Sequence, residues 1–133
     1  MARTTLQYFR NETEVGLDDV LLNASNNSNE LSCRGMNQCT IALDHHTHAS
    51  TFTLTFYVEG SIDGGTTWFR LQIANEASGV MTLNDASYSK SMAATGVFAV
   101  EFPINYTNIR IKALTGSSNA GDKADVNVQF GSI

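Results

Sequence analysis

Three histidines within four consecutive residues are the strongest candidates for metal chemistry in this chain. They stand at positions 45, 46 and 48, directly after Asp44. Alternate side chains of an extended backbone share a face, so His46 and His48 would point the same way and could supply two zinc ligands, while His45 would point away. No residue pattern in the sequence identifies a third or fourth ligand. Because spacing alone is a weak indication of a metal site, we favour a polar connection between strands over residues 44–50, and we expect no bound metal or other cofactor.

The other residues that could do chemistry form no pattern typical of an enzyme. The run Gly60–Gly65 has too few spaced carboxylates for a calcium loop, and it lacks the lysine and the following helix of a phosphate cradle. No serine stands in the strand–turn–helix context of a nucleophile elbow. No spacing selects a pair of aspartates for acid–base catalysis. We therefore expect that the protein is not an enzyme, and that residues 60–65 form a hairpin turn.

Aromatic residues are the candidates for binding other molecules. Tyr57 and Trp68 fall on the polar side of their predicted strands, which places them on an outer face or at an interface. Both rings could stack on a sugar, but we prefer burial by another protein, because Trp and Tyr are enriched at interfaces. The residues predicted to contact other proteins are Tyr8, Phe9, Tyr57, Trp68, Tyr88 and Tyr106.

Alternation of apolar and polar residues predicts the strands that must position these side chains. The clearest run is Phe52, Leu54, Phe56 and Val58 with polar residues between them, followed by a turn and a returning strand over residues 67–73. Similar alternation marks further segments at 39–43, 98–102, 109–113 and 124–130. Seven to nine short strands without a convincing amphipathic helix favour an all-β fold. We predict an antiparallel β-sandwich, jelly-roll or immunoglobulin-like, with a barrel as the second choice.

At 133 residues the chain fits one domain over residues 1–133. Residues 10–30 are the least regular, with 18–22 either a short helical turn or a strand, and residues 1–30 are a candidate extended N-terminal arm. We predict a loop at 74–79 and a Ser/Ala-rich excursion at 84–95.

Composition narrows the choice of partners and compartment. The net charge of −5 and the lack of a basic cluster argue against binding nucleic acid, and no apolar run is long enough to span a membrane. No apolar secretory stretch opens the sequence, so we expect synthesis in the cytosol. In that reducing compartment Cys33 and Cys39 are expected as free thiols rather than as a disulfide.

Three segments together resemble small β-sandwich proteins of tailed-bacteriophage virions. They are Phe56–Trp68, Phe98–Phe102 and Asn108–Lys112, and the resemblance covers roughly residues 38–130. It implies a cofactor-free capsid decoration (cement) protein, made in the host cytoplasm, that binds and stabilises the assembled head of the virion. The implied partners are the major capsid protein or other virion proteins, together with further copies of the chain, for instance in a trimer. The alternatives are a neck, tail or fibre component and a carbohydrate-binding module.

Overall fold

A computed structural model describes residues 12–132, which form eleven strands and contain no helix. Accordingly, nothing in this range could cross a membrane as a helix. The strands are β1 Glu12–Leu21, β2 Leu31–Ser32, β3 Gln38–Thr47, β4 Phe52–Ser61, β5 Phe69–Arg70, β6 Gln72–Ala77, β7 Val80–Asp85, β8 Tyr88–Met92, β9 Gly96–Pro103, β10 Asn108–Thr115 and β11 Lys123–Gly131.

Two antiparallel sheets carry most of these strands. The first has the order β1-β11-β3-β9, and the second has the order β2-β10-β4, with β5 and β8 both pairing with β4. From β1 to β4 and from β8 to β11, successive strands therefore alternate between the two sheets. If β5 and β8 are counted as two halves of one strand, this is the order of an eight-stranded jelly roll. The predicted β-sandwich is confirmed, and of the two forms left open the strand order is that of the jelly roll.

The core lies between the two sheets. Along β3 and β4 buried and less buried residues alternate, as the sequence pattern predicts for strands with one face on a core. Cys33 and Cys39 belong to this core and form no disulfide, as expected. Burial, with the neighbouring Cys33 sulfur, raises the pKa of Cys39 to about 12, which favours the protonated thiol at neutral pH. The fully buried large side chains of the core include Leu22, Ile41, Leu43, Leu54, Val58, Ile109, Ile111, Leu114, Val126, Val128 and Phe130.

The strand that returns after the central turn is interrupted by a hairpin. β5 pairs with the end of β4, the chain then leaves the sheet for β6 and β7, and β8 resumes pairing along the start of β4. The predicted loop at 74–79 is therefore wrong, because residues 74–77 belong to β6. The turn itself is only Ser78-Gly79, with φ values of 53° and 79°, the positive angles of a two-residue hairpin. The extra strands come from this insertion, and the predicted excursion at 84–95 contains β8.

Part of the predicted N-terminal arm is instead a sheet strand. β1 pairs with β11 over most of its length, so residues 12–21 belong to the sandwich. The pairing shifts register between Val15 and Leu17 and again between Leu17 and Val20, and Asp19 has a φ of 48°. Such bulges break the two-residue alternation, which is why the strand was hard to read from sequence. Residues 1–11, including Tyr8 and Phe9, lie outside the described part.

Candidate functional site

The histidine segment lies where β3 ends. β3 continues to Thr47, so the polar connection starts at residue 48, four residues later than predicted. His45 continues the inward face of Leu43. His45 is fully buried, whereas His46 points outward, with its Nε2 3.1 Å from Asp19 Oδ1. His48 follows the end of the strand, where alternation no longer determines direction. The structure thus brings His48 together with His45 rather than with His46.

Asp122 completes this group from the loop that precedes β11. His45 Nε2 lies 3.0 Å from His48 Nδ1 and 3.7 Å from Asp122 Oδ1, and His48 Nδ1 lies 3.5 Å from the same oxygen. The ring of Phe52 packs edge-on against His45, with centroids 5.5 Å apart. We call His45, His48 and Asp122 the triad cluster. The sequence did not single out Asp122, because no local pattern identifies a partner more than seventy positions away.

The Asp122 carboxylate is fully buried but richly hydrogen-bonded. The Ala49 N–H donates to Oδ1 at 2.7 Å, and the hydroxyls of Ser50 and Ser117 donate to Oδ2 at 2.8 and 2.6 Å. Burial raises the pKa of Asp122, but the hydrogen bonds from Ser117, Ala49 and Ser50 outweigh it and hold the pKa below its usual value. The carboxylate is therefore ionised at neutral pH and ties the loop before β4 to the loop before β11.

The opposite end of β4 is held by a second aspartate, in the glycine-rich turn. Asp63 Oδ1 accepts hydrogen bonds from the Ser61 hydroxyl at 2.8 Å and from the N–H groups of Thr66 and Thr67 at 3.1 and 2.9 Å. These bonds, led by the one from the Thr67 backbone, lower the pKa of Asp63 to about 2. The carboxylate oxygen is used to close the turn, in agreement with the structural role predicted for residues 60–65.

Two of the predicted interface aromatics are covered by arginines of their own chain. The Arg70 guanidinium lies 3.9 Å from the centroid of Tyr57, and that of Arg110 lies 4.1 Å from the centroid of Trp68. Arg110 Nε also donates to Glu59 at 2.6 Å, which fixes the guanidinium in place. Both rings are half-buried, and each has one face occupied by a cation.

The other two described aromatics of the predicted interface are also half-buried. Tyr88 stacks on Phe56 with centroids 5.1 Å apart, and Tyr106 meets Phe69 edge-to-face at 5.7 Å. All four rings therefore serve the packing of this chain. Their contact with another protein stays a prediction.

The most exposed apolar surface is one that the sequence patterns did not single out. β6 and β7 pair with each other and with no other described strand, and all their residues are exposed. Ile73 is 54% exposed, and Val80, Met81 and Leu83 are each 63% exposed. We call residues 72–85 the arm hairpin. The Ser-Gly pair between two runs containing apolar residues was the available signal, but β6 is rich in Ala, Asn and Glu and does not look like a strand.

Apolar residues of the arm hairpin lie on both of its faces. Residues paired across the strands point to the same side, so Ala74 and Leu83 share one face with Met81, while Val80 shares the other with Ile73. An isolated two-stranded hairpin is only marginally stable in water. This hairpin therefore exposes apolar groups on two sides without a core of its own.

β9, at the edge of the first sheet, is a second incompletely covered region. Its inward-facing residues Phe98, Val100 and Phe102 are only half-buried, and Val97 is 69% exposed. In the described part no strand pairs with its outer edge. Unpaired edges with apolar side chains are typical places for contact with another chain.

Together these features define a jelly-roll β-sandwich with an exposed apolar hairpin extending from one sheet. Among solved structures, the chain is similar to the crystal structure of the SPBc2 prophage-derived protein YomS, with a TM-score of 0.51 over 90% of this chain and 92% of that chain. The two sequences are 10% identical, so the likeness shows a shared fold alone. No family model and no curated protein sequence matches the chain.

Proposed function

We propose that this protein is a structural component of a phage particle that acts by binding other proteins, and specifically a capsid decoration protein that stabilises the assembled head. The observation that carries the proposal is the arm hairpin, with four large apolar side chains more than half exposed. Two of these side chains lie on each face of the hairpin, and exposed apolar side chains concentrated on one element in this way support a site of protein contact.

The size of the arm hairpin suggests how it is used. Complete burial of a Val, Leu, Ile or Met side chain contributes about 1.5–3 kcal/mol. Four such residues, already partly covered, would barely offset the cost of about 4–15 kcal/mol for joining two free molecules. A single contact would thus be weak. Many contacts made at once, within an oligomer or on a repeated lattice, would hold firmly.

The fold and the resemblance to virion proteins support a phage particle as the place of action. Jelly rolls occur in viral capsids but also in lectins, so the fold alone does not choose between shell binding and sugar binding. The arginines stacked on Tyr57 and Trp68 weigh against a sugar platform, because a ring already covered by a cation offers less free face. A protein that binds only the assembled shell stabilises it by linkage, without any catalytic step.

Copy number in the particle tests this proposal. Particles purified and washed from the source of the sequence would be digested, and this chain would be quantified against the major capsid protein by mass spectrometry. Decoration predicts copies in proportion to the capsid protein. A few copies per particle would favour the neck, tail or fibre instead, and absence from washed particles would reject a virion role.

A pair of variants tests the arm hairpin itself. Met81→Asn with Leu83→Asn removes two apolar groups from one face, and Ile62→Asn is the matched control, because Ile62 is 68% exposed but lies in the central turn. Surface changes of this kind leave stability nearly unchanged. We expect the double variant to lose co-sedimentation with capsids lacking the protein, while the control binds. Equal binding by both would refute a role for the hairpin.

A further inference from the structure

We infer that the triad cluster of His45, His48 and Asp122 is a binding site for a divalent transition-metal ion, with zinc as its expected occupant. Imidazole nitrogen and carboxylate oxygen are ligand types that zinc commonly takes in proteins. The site joins the end of β3 to the loops that precede β4 and β11. It is independent of the proposed virion role and requires no other protein.

The distances within the cluster are close to those of a zinc site. Ligand atoms at three corners of a tetrahedral zinc site lie about 3.4 Å apart when each bond is about 2.1 Å long. The observed separations are 3.0 Å for His45 Nε2 to His48 Nδ1, 3.5 Å for His48 Nδ1 to Asp122 Oδ1, and 3.7 Å for His45 Nε2 to that oxygen. An ion just outside the plane of the three atoms would therefore reach all of them.

Neighbouring groups orient the ligands in the way that metal sites require. His45 Nδ1 lies 3.1 Å from the Lys123 carbonyl, which can only accept a hydrogen bond, so Nδ1 carries the proton and the lone pair of Nε2 faces the cluster. Hydroxyls of Ser50 and Ser117 hold the second oxygen of Asp122. Hydrogen bonds of this kind to the ligands fix ring orientation and strengthen metal binding.

Charge and access are also suitable. The ion pairs of Asp122 within the described range are both with imidazoles, so no permanently charged side chain offsets its buried carboxylate there. A buried charge is costly unless it is paired or bound to a metal. The His48 side chain is 21% exposed, whereas those of His45 and Asp122 are fully buried, so an ion would enter beside His48. Three protein ligands leave a fourth position for water.

The competing arrangement contains no metal. In that case His48 Nδ1–H donates a hydrogen bond to His45 Nε2 across the same 3.0 Å, and the cluster is simply a buried polar network. The two arrangements predict different results when zinc is added, because a His48 that keeps its proton on Nδ1 has no lone pair there to bind the ion.

Zinc titration of the untagged, chelator-treated full chain decides between them. We expect one zinc ion per chain by calorimetry, a rise in Tm with zinc, and the visible spectrum of a tetrahedral site with cobalt. His48→Ala, at a partly exposed residue beyond the strand, should weaken zinc binding at least tenfold and abolish the rise in Tm.

His46→Ala is the matched control, because it removes a neighbouring histidine that faces Asp19 and Asp125 instead. It should bind zinc as the wild type does. Absence of stoichiometric zinc binding would overturn the inference in favour of the metal-free network. Equal binding by wild type and His48→Ala would also overturn it. Loss of binding only in His46→Ala would overturn it too, because the ion would then lie near His46, Asp19 and Asp125.

Discussion

The two ends of β4 are each held by one aspartate, but by different kinds of contact. At the far end, Asp63 is exposed and bonds Ser61, Thr66 and Thr67, all within four residues. At the near end, Asp122 is fully buried and accepts from Ala49 and Ser50, 73 and 72 residues away in the chain. One carboxylate closes a local turn, and the other joins distant parts of the fold.

Burial, more than the number of hydrogen bonds, sets the importance of such an aspartate for stability. If the exposed carboxylate is removed, water can replace it as an acceptor. If the buried one is removed, its donors remain without a partner, which costs about 1–3 kcal/mol for each group. Substitutions at the two ends should therefore differ strongly in effect.

Asp122→Ala should have the largest effect. The Ala49 N–H and the hydroxyls of Ser50 and Ser117 would lose their acceptor inside the protein. We expect the free energy of unfolding to fall by about 3–5 kcal/mol. Urea denaturation in the presence of a chelator measures this without any contribution from bound metal. Asp122→Asn keeps one acceptor oxygen and should lose less unfolding free energy. A loss below about 1 kcal/mol for Asp122→Ala would contradict a stabilising role of the buried carboxylate.

Glycines at the two ends should show the same asymmetry. Gly116, near Asp122, has a φ of 150°, and an added Cβ would collide with the Thr53 carbonyl oxygen. Gly64, beside Asp63, has a φ of 76° and open space around it. Gly116→Ala should therefore cost about 2–4 kcal/mol, from strain and overpacking together, and Gly64→Ala about 1 kcal/mol, from backbone strain alone. Equal losses of unfolding free energy for the two variants would show that the backbone at Thr53 can shift to make room for the added Cβ.

Sequence reasoning was accurate where structure is local. Alternation along Phe52–Val58 predicted β4, and the Gly/Asp turn predicted its return, because strand period and turn chemistry are properties of neighbouring residues. The sandwich class followed from the number of such strands. For β1, where bulges interrupt the alternation, the same reasoning left residues 18–22 open between a helical turn and a strand, and the structure has a strand there as far as Leu21. It failed for β6, whose residues bury nothing and so carry no apolar stripe.

The triad cluster shows what local patterns leave out. The sequence made His48 a candidate zinc ligand beside His46, although no bound metal was expected. Its neighbour in space is His45, because β3 extends to Thr47 and the chain bends only after it. Asp122 comes from a loop brought there by the pairing of β11 with β3. Register between distant strands cannot be read from one sequence, so neither the partner nor its burial was predictable.

Asp63→Ala should have a much smaller effect than Asp122→Ala. Its donors, among them the Thr66 and Thr67 N–H groups, lie at an exposed turn where water can take the place of the carboxylate. We expect Tm to fall by only a few degrees, with the fold intact. The Tm of Asp63→Asn should lie between those of the wild type and Asp63→Ala. A loss as large as that of Asp122→Ala would remove the distinction between the two ends.

Acid titration separates the contribution of Asp63 from that of the buried end. The pKa of Asp63 is lowered from 3.8 to about 2, so its ionised form stabilises the folded state above pH 4, and this contribution disappears as the pH falls toward 2. The difference in unfolding free energy between wild type and Asp63→Ala should therefore shrink between pH 4 and pH 2. Both proteins keep Asp122, whose pKa is also lowered, so both should lose stability in acid for that second reason. Urea denaturation at several pH values measures this difference. A difference that stays constant from pH 4 to pH 2 would show that the Asp63 carboxylate does not stabilise the turn.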